Sequence, residues 1–418
     1  MLKGTLHRSF PLWHAAHPLW LCGFRPFFLL AALTAPLCIG LWVAFLATGL
    51  ALPEVAGGPF IWHAHELIFG FGLAAVVGFV LTGIPEFTDT AAFGGGAVRW
   101  LVGLWLLGRF MFWCSGVFGP GALLLAALAQ LGLLGLLAAM LAPRLWRDPE
   151  RRHLAFLWGL GALMVCVAGF YADALRGAYP GRWLHAALGA LMVLIVVAMS
   201  RISMRIVNGA IDEAGVVGVQ YRARPPRRNL AMVFIALYTV AEFWGPGDRI
   251  AGWLALAAAA AVLHLLNDWH IGRALFRRWA LMLYGVYVLM AAGYATMGLA
   301  LLLGGEAFSA GRHLLTVGAL GLNIFVVMCI AGRAHCGLVP DERRWVPVGA
   351  SMLLVAALVR AGAAWPGTDS RPWLMVSGVL WGGAFVLYAW HMAPVFWSQR
   401  SDGGGGCDGV QVSVLLSK

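Results

Sequence analysis

Twelve apolar stretches, each long enough to cross a bilayer as a helix, constrain this chain more than anything else in it. They fall at roughly 27–50, 62–84, 97–118, 120–142, 153–173, 183–206, 229–246, 250–270, 279–303, 312–332, 345–364 and 372–397. About 20 apolar residues at 1.5 Å per residue span the hydrocarbon core. The seventh stretch is short and the third and fourth nearly touch at Gly119-Pro120, which brackets the count between eleven and thirteen. Of the 418 residues, 61% are hydrophobic and 11% charged, against about a quarter charged in soluble domains. Lipid must therefore solvate most of the chain. In lipid the backbone has to satisfy its own polar groups, so these stretches are helices. The expectation is an all-α membrane protein, a polytopic bundle of about 12 transmembrane helices in contact with the lipid bilayer.

The charges divide by loop. Alternate connections hold Arg144, Arg147, Arg151, Arg152, Arg222, Arg224, Arg227, Arg228, Arg273, Arg277, Arg278, Arg343 and Arg344. The intervening ones hold only Arg176, Arg182, Arg249, Arg312 and Arg371. Positive residues stay inside, so an even helix count with N- and C-termini cytoplasmic is expected. This gives a cytoplasmic segment 1–26, a transmembrane domain 27–397 and a flexible cytoplasmic tail 398–418, glycine-rich at Gly403–Gly406. The net charge of +11 does not indicate nucleic acid, because the arginines sit in short loops and form no stripe on a soluble face. His14, His17 and Arg25 interrupt the N-terminal apolar pattern, so the first helix reads as retained, not as a cleaved leader. No short-period repeat is visible; a division into six and six helices at the basic loop 207–228 is possible, without a clear match between halves.

Histidines within or at the ends of membrane helices are the most informative residues, since ionisable groups there are costly. His63 and His65 open the second helix, His185 the sixth and His313 the tenth, all at the expected outer ends. His264, His270, His335 and His391 fall toward the inner ends, while His7, His14, His17 and His153 read as cytoplasmic. Two residues on a helix are about 200° apart, so His63 and His65 cannot both face one metal from a regular helix. They either bend at the helix start or serve different centres. Imidazole is a natural ligand for haem iron and copper, and Glu66 could orient one ring. Gly70, Gly72 and Gly78 leave room behind them for a helix or a flat cofactor. His313, Thr316, Leu320 and Asn323 follow a 3-4-3 spacing that puts them on one face. His335 ends the same helix at the other surface. His264 and Asp268 stand one turn apart, as a ligand and its orienting carboxylate would. Arg109 and Arg360 need anionic partners: Glu66, Glu242, Asp173 or a haem propionate. Arg25 is a further candidate for a propionate or lipid headgroup. Interfacial solvation and interhelical hydrogen bonding remain the plain alternatives for all of these.

The seven cysteines are scattered and form no CxxC, and no P-loop, dinucleotide fingerprint or serine-type triad is readable. Several segments, in order, resemble the NnrS family: Phe24-Arg25-Pro26-Phe27-Phe28, Trp62-His63-Ala64-His65-Glu66, Leu104 to Arg109, His313-Leu314-Leu315-Thr316-Val317-Gly318-Ala319, and Arg333-x-His335-x-Gly337. Jointly these motifs are fairly specific and singly none is. The resemblance implies a multi-pass protein of the bacterial inner (cytoplasmic) membrane containing haem, b-type, and copper, with nitric oxide as its small-molecule ligand and a role in denitrification and nitrosative stress. It carries over His63, His65, His313 and His335 as metal ligands, with His264 the weakest. Arg25 and Arg109 are the expected haem-propionate partners. Cys336 stands where a small or hydroxyl residue is expected, and its thiol could itself bind copper. The histidine pairs of haem-copper oxidases are not evident.

Three functions follow from these expectations. The first is an NO-reducing haem/copper oxidoreductase, in which Glu66, Thr316 and Asn323 would carry protons. The second is a non-catalytic protein that binds NO and metal to protect or sense. The third is a transporter of copper or metal-nitrosyl species. The electron donor is unknown in all three.

Overall fold

A computed structural model describes residues 11–12, 14, 17–149, 151–305, 307–364, 369–400, 402 and 406–407. His7 and most of the tail after Arg400 lie outside the described residues. Among those described there is no strand, and twelve long helices carry the chain. We number them α1 (Phe24–Thr48), α2 (Gly58–Phe87), α3 (Gly95–Trp113), α4 (Pro120–Arg147), α5 (Leu154–Leu175), α6 (Gly181–Glu213), α7 (Pro225–Trp244), α8 (Arg249–Trp269), α9 (Arg278–Leu303), α10 (Phe308–Ala334), α11 (Trp345–Gly362) and α12 (Ser370–Trp397). Ten are long and apolar enough to cross a membrane; the exceptions are α3, with Arg99 and Arg109, and α7, with Arg227, Arg228 and Glu242. The expected stretches thus appear as helices with ends moved by a few residues. The near-contact of the third and fourth resolves into a short helix, Ser115–Phe118, and a turn at Gly119 with φ +67°.

Most helices pack against their neighbours in the chain, and α12 closes the circuit against α1. Three stand inside it. The apolar stretches of α2, α6 and α10 are 83%, 72% and 78% buried, against 56% or less in the other seven that are apolar enough to span. These three touch one another. They are four helices apart in the chain, so the bundle reads as three groups of four helices, each giving its second to the centre, and not as two groups of six.

Two of the inner helices change their winding. Glu66–Gly72 of α2 and Leu314–Leu320 of α10 are π-helical. A π turn adds a residue and frees backbone groups from the regular ladder. Trp105 of α3 donates to the Gly70 carbonyl at 3.2 Å, giving that carbonyl a side-chain partner. The π turn in α10 also breaks the 3-4-3 spacing expected from His313 to Asn323. Close packing explains a glycine here: a Cβ at Gly78 would sit 2.9–3.0 Å from Phe27 and Phe28 of α1.

The basic connections gather at one end. Arg144 donates to the Ala91 carbonyl at 2.6 Å, Arg201 to that of Arg152 at 3.2 Å, Arg277 to that of Glu213 at 2.9 Å and Arg278 to that of Asp341 at 3.0 Å. Cys22 and Cys407, 385 residues apart, form a disulfide at this end, and Arg400 donates to the His335 carbonyl at 3.0 Å. The described part of the tail is therefore docked on the bundle. The more sparsely charged connections meet at the other end, where Arg182 pairs with Asp173 at 2.9 Å.

Candidate functional site

His63 and His313 share the sparsely charged end, each immediately before or within a turn of a π segment. His63 packs flat on Trp42 of α1, ring centroids 4.3 Å apart. Its Nδ1 is buried and has no hydrogen-bond partner. His313 lies within electrostatic range of both His63 and Arg360. Its Nδ1 donates to the Ser309 carbonyl at 2.8 Å. A carbonyl accepts only from N–H, so the proton sits on Nδ1 and the Nε2 lone pair is left for another partner. Fixing one ring nitrogen to a carbonyl is how metal-ligating histidines are held. Arg360 of α11 donates to the Ser309 hydroxyl at 3.3 Å. One end of the bundle thus holds two imidazoles from two inner helices, with a guanidinium beside them.

His65 goes elsewhere. Two residues on from His63, it points to the opposite side of α2 and is fully buried. Its Nδ1 is 2.9 Å from Glu66 Oε1, and its Nε2 is 3.2 Å from the Tyr171 hydroxyl. Arg109 donates to Glu66 at 2.8 Å and to Gln130 at 2.8 Å, and the Tyr171 hydroxyl donates to Gln130 at 3.0 Å. Phe112 stacks on the imidazole at 3.6 Å. Both ring nitrogens of His65 are thus occupied by protein groups, and Arg109 is committed to Glu66, the first of its expected partners. Gln130 and Tyr171 were not foreseen, although a lone glutamine in the apolar run of α4 is itself a signal. Gly70 belongs to this packing: a Cβ there would lie 3.3 Å from the Glu66 carboxylate.

A third cluster joins His185 of α6, Glu242 of α7 and Arg312 of α10. Arg312 pairs with Glu242, and its other amino group is 2.5 Å from His185 Nε2. Glu242 is therefore not a partner of Arg109 or Arg360, nor is Asp173, which takes Arg182.

The remaining candidates lie apart. His335 is buried at the basic end, Nδ1 2.8 Å from the Cys407 carbonyl and Nε2 3.4 Å from Glu86. Arg25 is fully buried and donates from one amino group to the carbonyls of Pro18, Phe396 and Ser398 at 2.8–3.2 Å. It ties the start of α1 to the end of α12. His264 is exposed and shares contacts with Asn267. Asp268 turns from it to Arg227 at 2.7 Å, because α8 tightens to a 3-10 turn after Leu265 and one-turn spacing no longer applies. Thr316 donates to the Arg312 carbonyl at 3.2 Å, while Asn323 is buried deeper, its Oδ1 without a partner. Among the described residues no group of three or more His, Cys, Asp and Glu could hold a metal ion.

Among curated proteins, none matches this chain. Residues 18–400 match the family described as NnrS protein, which covers nearly all of the bundle, both π segments and all the clusters above. The chain belongs to the NnrS family.

Proposed function

We propose that this chain is a haem- and copper-binding protein of the bacterial inner membrane that meets nitric oxide at a centre built on His63 and His313. The observation that carries this is the pairing of a buried, unpartnered imidazole nitrogen on His63 with a His313 ring held by the Ser309 carbonyl. An imidazole nitrogen buried without a partner costs free energy unless something takes its lone pair or proton. A metal does so, and the donor set of two neutral imidazoles suits copper or haem iron. Arg360 stands beside the two histidines, where it could meet a haem propionate, whereas Arg109 is paired with Glu66 and Arg25 lies at the basic end. When bound, haem or copper would supply the electron-rich centre that NO chemistry needs.

The chain's own residues would position and protonate. Ser309 fixes the His313 ring and Trp42 limits that of His63. The His65–Glu66–Arg109–Gln130–Tyr171 network starts two residues from His63 and is sealed by Phe112 and Phe170. A network of this kind can hold a proton next to a centre without exposing it to water. Glu66 is its acid; Thr316, tied to its own helix, and Asn323, in an apolar chamber, complete no chain of hydrogen bonds with it. The segregation of arginines supports placing the basic end, both termini included, in the cytoplasm and the His63/His313 end outside.

The test is metal and haem content with the optical spectrum of the purified protein, followed by NO consumption with a reductant. His63→Ala and His313→Ala should each lose haem or copper, whereas His264→Ala should keep both. Full retention in both variants would refute the centre. Haem without NO turnover would make the protein a binder of NO and not a reductase.

A further inference from the structure

The disulfide at the basic end sits against an internal cavity. That cavity lies between α1, α2, α6 and α10 and has a volume of about 240 Å³. Thr82 of α2 and His335, just after α10, are part of its wall. The Cys22–Cys407 bond meets both. Cys22 Sγ is 3.6 Å from the Thr82 hydroxyl, and the Cys407 carbonyl accepts from His335 Nδ1 at 2.8 Å. The other ring nitrogen of His335 pairs with Glu86, a further wall residue, at 3.4 Å. Two more described tail residues rest on the same ground. Arg400 donates to the His335 carbonyl at 3.0 Å, and a Cβ at Gly406 would lie 3.2 Å from the Leu21 carbonyl. The bridge therefore joins the α2 wall of the cavity to its α10 wall.

The bond is not what holds the bundle together. Arg25 already ties the start of α1 to the end of α12 through the carbonyls of Phe396 and Ser398. Only the short segment after Ser398 has to close for the two thiols to meet, and closing a short loop costs little. Opening the bond frees that segment and leaves the helices in place. It also removes the tether on the Cys407 carbonyl, and with it one of the two partners that fix the His335 ring.

We propose that Cys22 and Cys407 form a redox latch, which shuts the basic-end cavity off from water when oxidised and opens it when reduced. The oxidant is a low-molecular-weight disulfide. One protein thiolate attacks it, releases one small thiol and leaves a mixed disulfide; the second protein thiolate then displaces the other small thiol. Two protein thiols thus lose two electrons and two protons, and the small disulfide leaves as two thiols. A dithiol reductant reverses both steps. Placing this end in the cytoplasm decides only the resting state, which is then reduced and open, as for disulfides that report oxidation. The latch itself depends neither on that placement nor on a metal at His63 and His313.

The test uses the purified full chain in its oxidised and reduced forms. Ala331→Cys puts a thiol in the cavity wall. Its alkylation by iodoacetamide, read at that site by peptide mass spectrometry, should be roughly tenfold faster in the reduced form, as expected where a local opening controls access. With Cys22→Ser and Cys407→Ser added, alkylation should be fast under both conditions. Hydrogen exchange of the wild-type chain supplies a measurement that needs no variant: residues 331–337 should exchange faster once the bond is reduced, while the middle of α10 stays unchanged. Oxidised glutathione should restore the bond and the slow rate. Equal alkylation or exchange in the two forms, slow alkylation without the two cysteines, or failure of glutathione disulfide to close the bond would overturn the proposal.

Discussion

At the scale of the residue, the buried charges are settled in pairs, and the pairs can be broken. Arg109 and Glu66 side chains are 9% and 1% exposed. Removing one partner of a buried pair strands the other, typically at about 3–5 kcal/mol, while replacing both can be close to neutral. Arg109→Met should therefore lower the detergent-state melting temperature sharply, and Arg109→Met combined with Glu66→Gln should recover much of the loss. Equal losses in the single and double variants would show that the two are not coupled. Asp341 makes a parallel case outside the helices. Its carboxylate accepts from Arg343 at 2.6 Å, Trp345 at 3.0 Å and Arg333 at 3.3 Å. The hydrogen bonds from Arg343, with help from Trp345 and the charge of Arg333, hold it far below the usual carboxylate range despite its burial. A carboxyl depressed in the folded state stabilises above its unfolded value and loses that contribution as pH falls through the folded one. Asp341→Asn should cost about 1–3 kcal/mol at pH 7, and the gap from wild type should close only below about pH 4. A gap that instead widened on acidification would contradict this assignment.

At the scale of the element, the sequence showed the helices well and their winding poorly. Apolar length and arginine placement are properties of single segments, so they survive without knowledge of the fold. The π segments do not, since Glu66–Gly72 and Leu314–Leu320 read as ordinary apolar helix. Their extra residue makes sense only against neighbours such as Trp105. For the same reason the HxH motif could be recognised as two-sided, while the partners of each side, Trp42 for His63 and Gln130 with Tyr171 for His65, come from distant helices. The one-turn pairing of His264 with Asp268 failed at a helix end. The π turn also has a testable role. Deleting Val317 would let Leu314–Leu320 close as an α-helix while His313 keeps nearly the same direction relative to the rest of α10, because a π turn absorbs its extra residue. Under the proposed centre, metal content should therefore stay well above that of His313→Ala. Loss of metal in a folded deletion variant would make the π turn itself part of the site.

At the scale of the whole molecule, the grouping of helices in fours could not be read from the chain, because it is a property of which helices are enclosed and not of what each contains. Orientation is the opposite case: a sum over many loops that no single contact decides. Its consequence meets the cysteines. Cys22 and Cys407 lie at the basic end, beside His335 and the ends of α1 and α10. A cytoplasmic basic end would keep these thiols reduced in the resting cell, whereas an outward one would hold them as a disulfide. Two measurements therefore have to agree. A fluorescent protein fused after the tail should fold and fluoresce, as it does in the cytoplasm, and alkaline phosphatase inserted at 304–305 should be active outside. In the same cells Cys22 and Cys407 should react with a thiol-directed mass tag after rapid acid quenching, and should close to a disulfide when oxidant is added. A dark fusion together with unreactive cysteines would invert the molecule and place the His63/His313 end in the cytoplasm. Because the loops and the thiols report on the same surface through unrelated chemistry, their agreement would fix which compartment supplies the proposed metal centre.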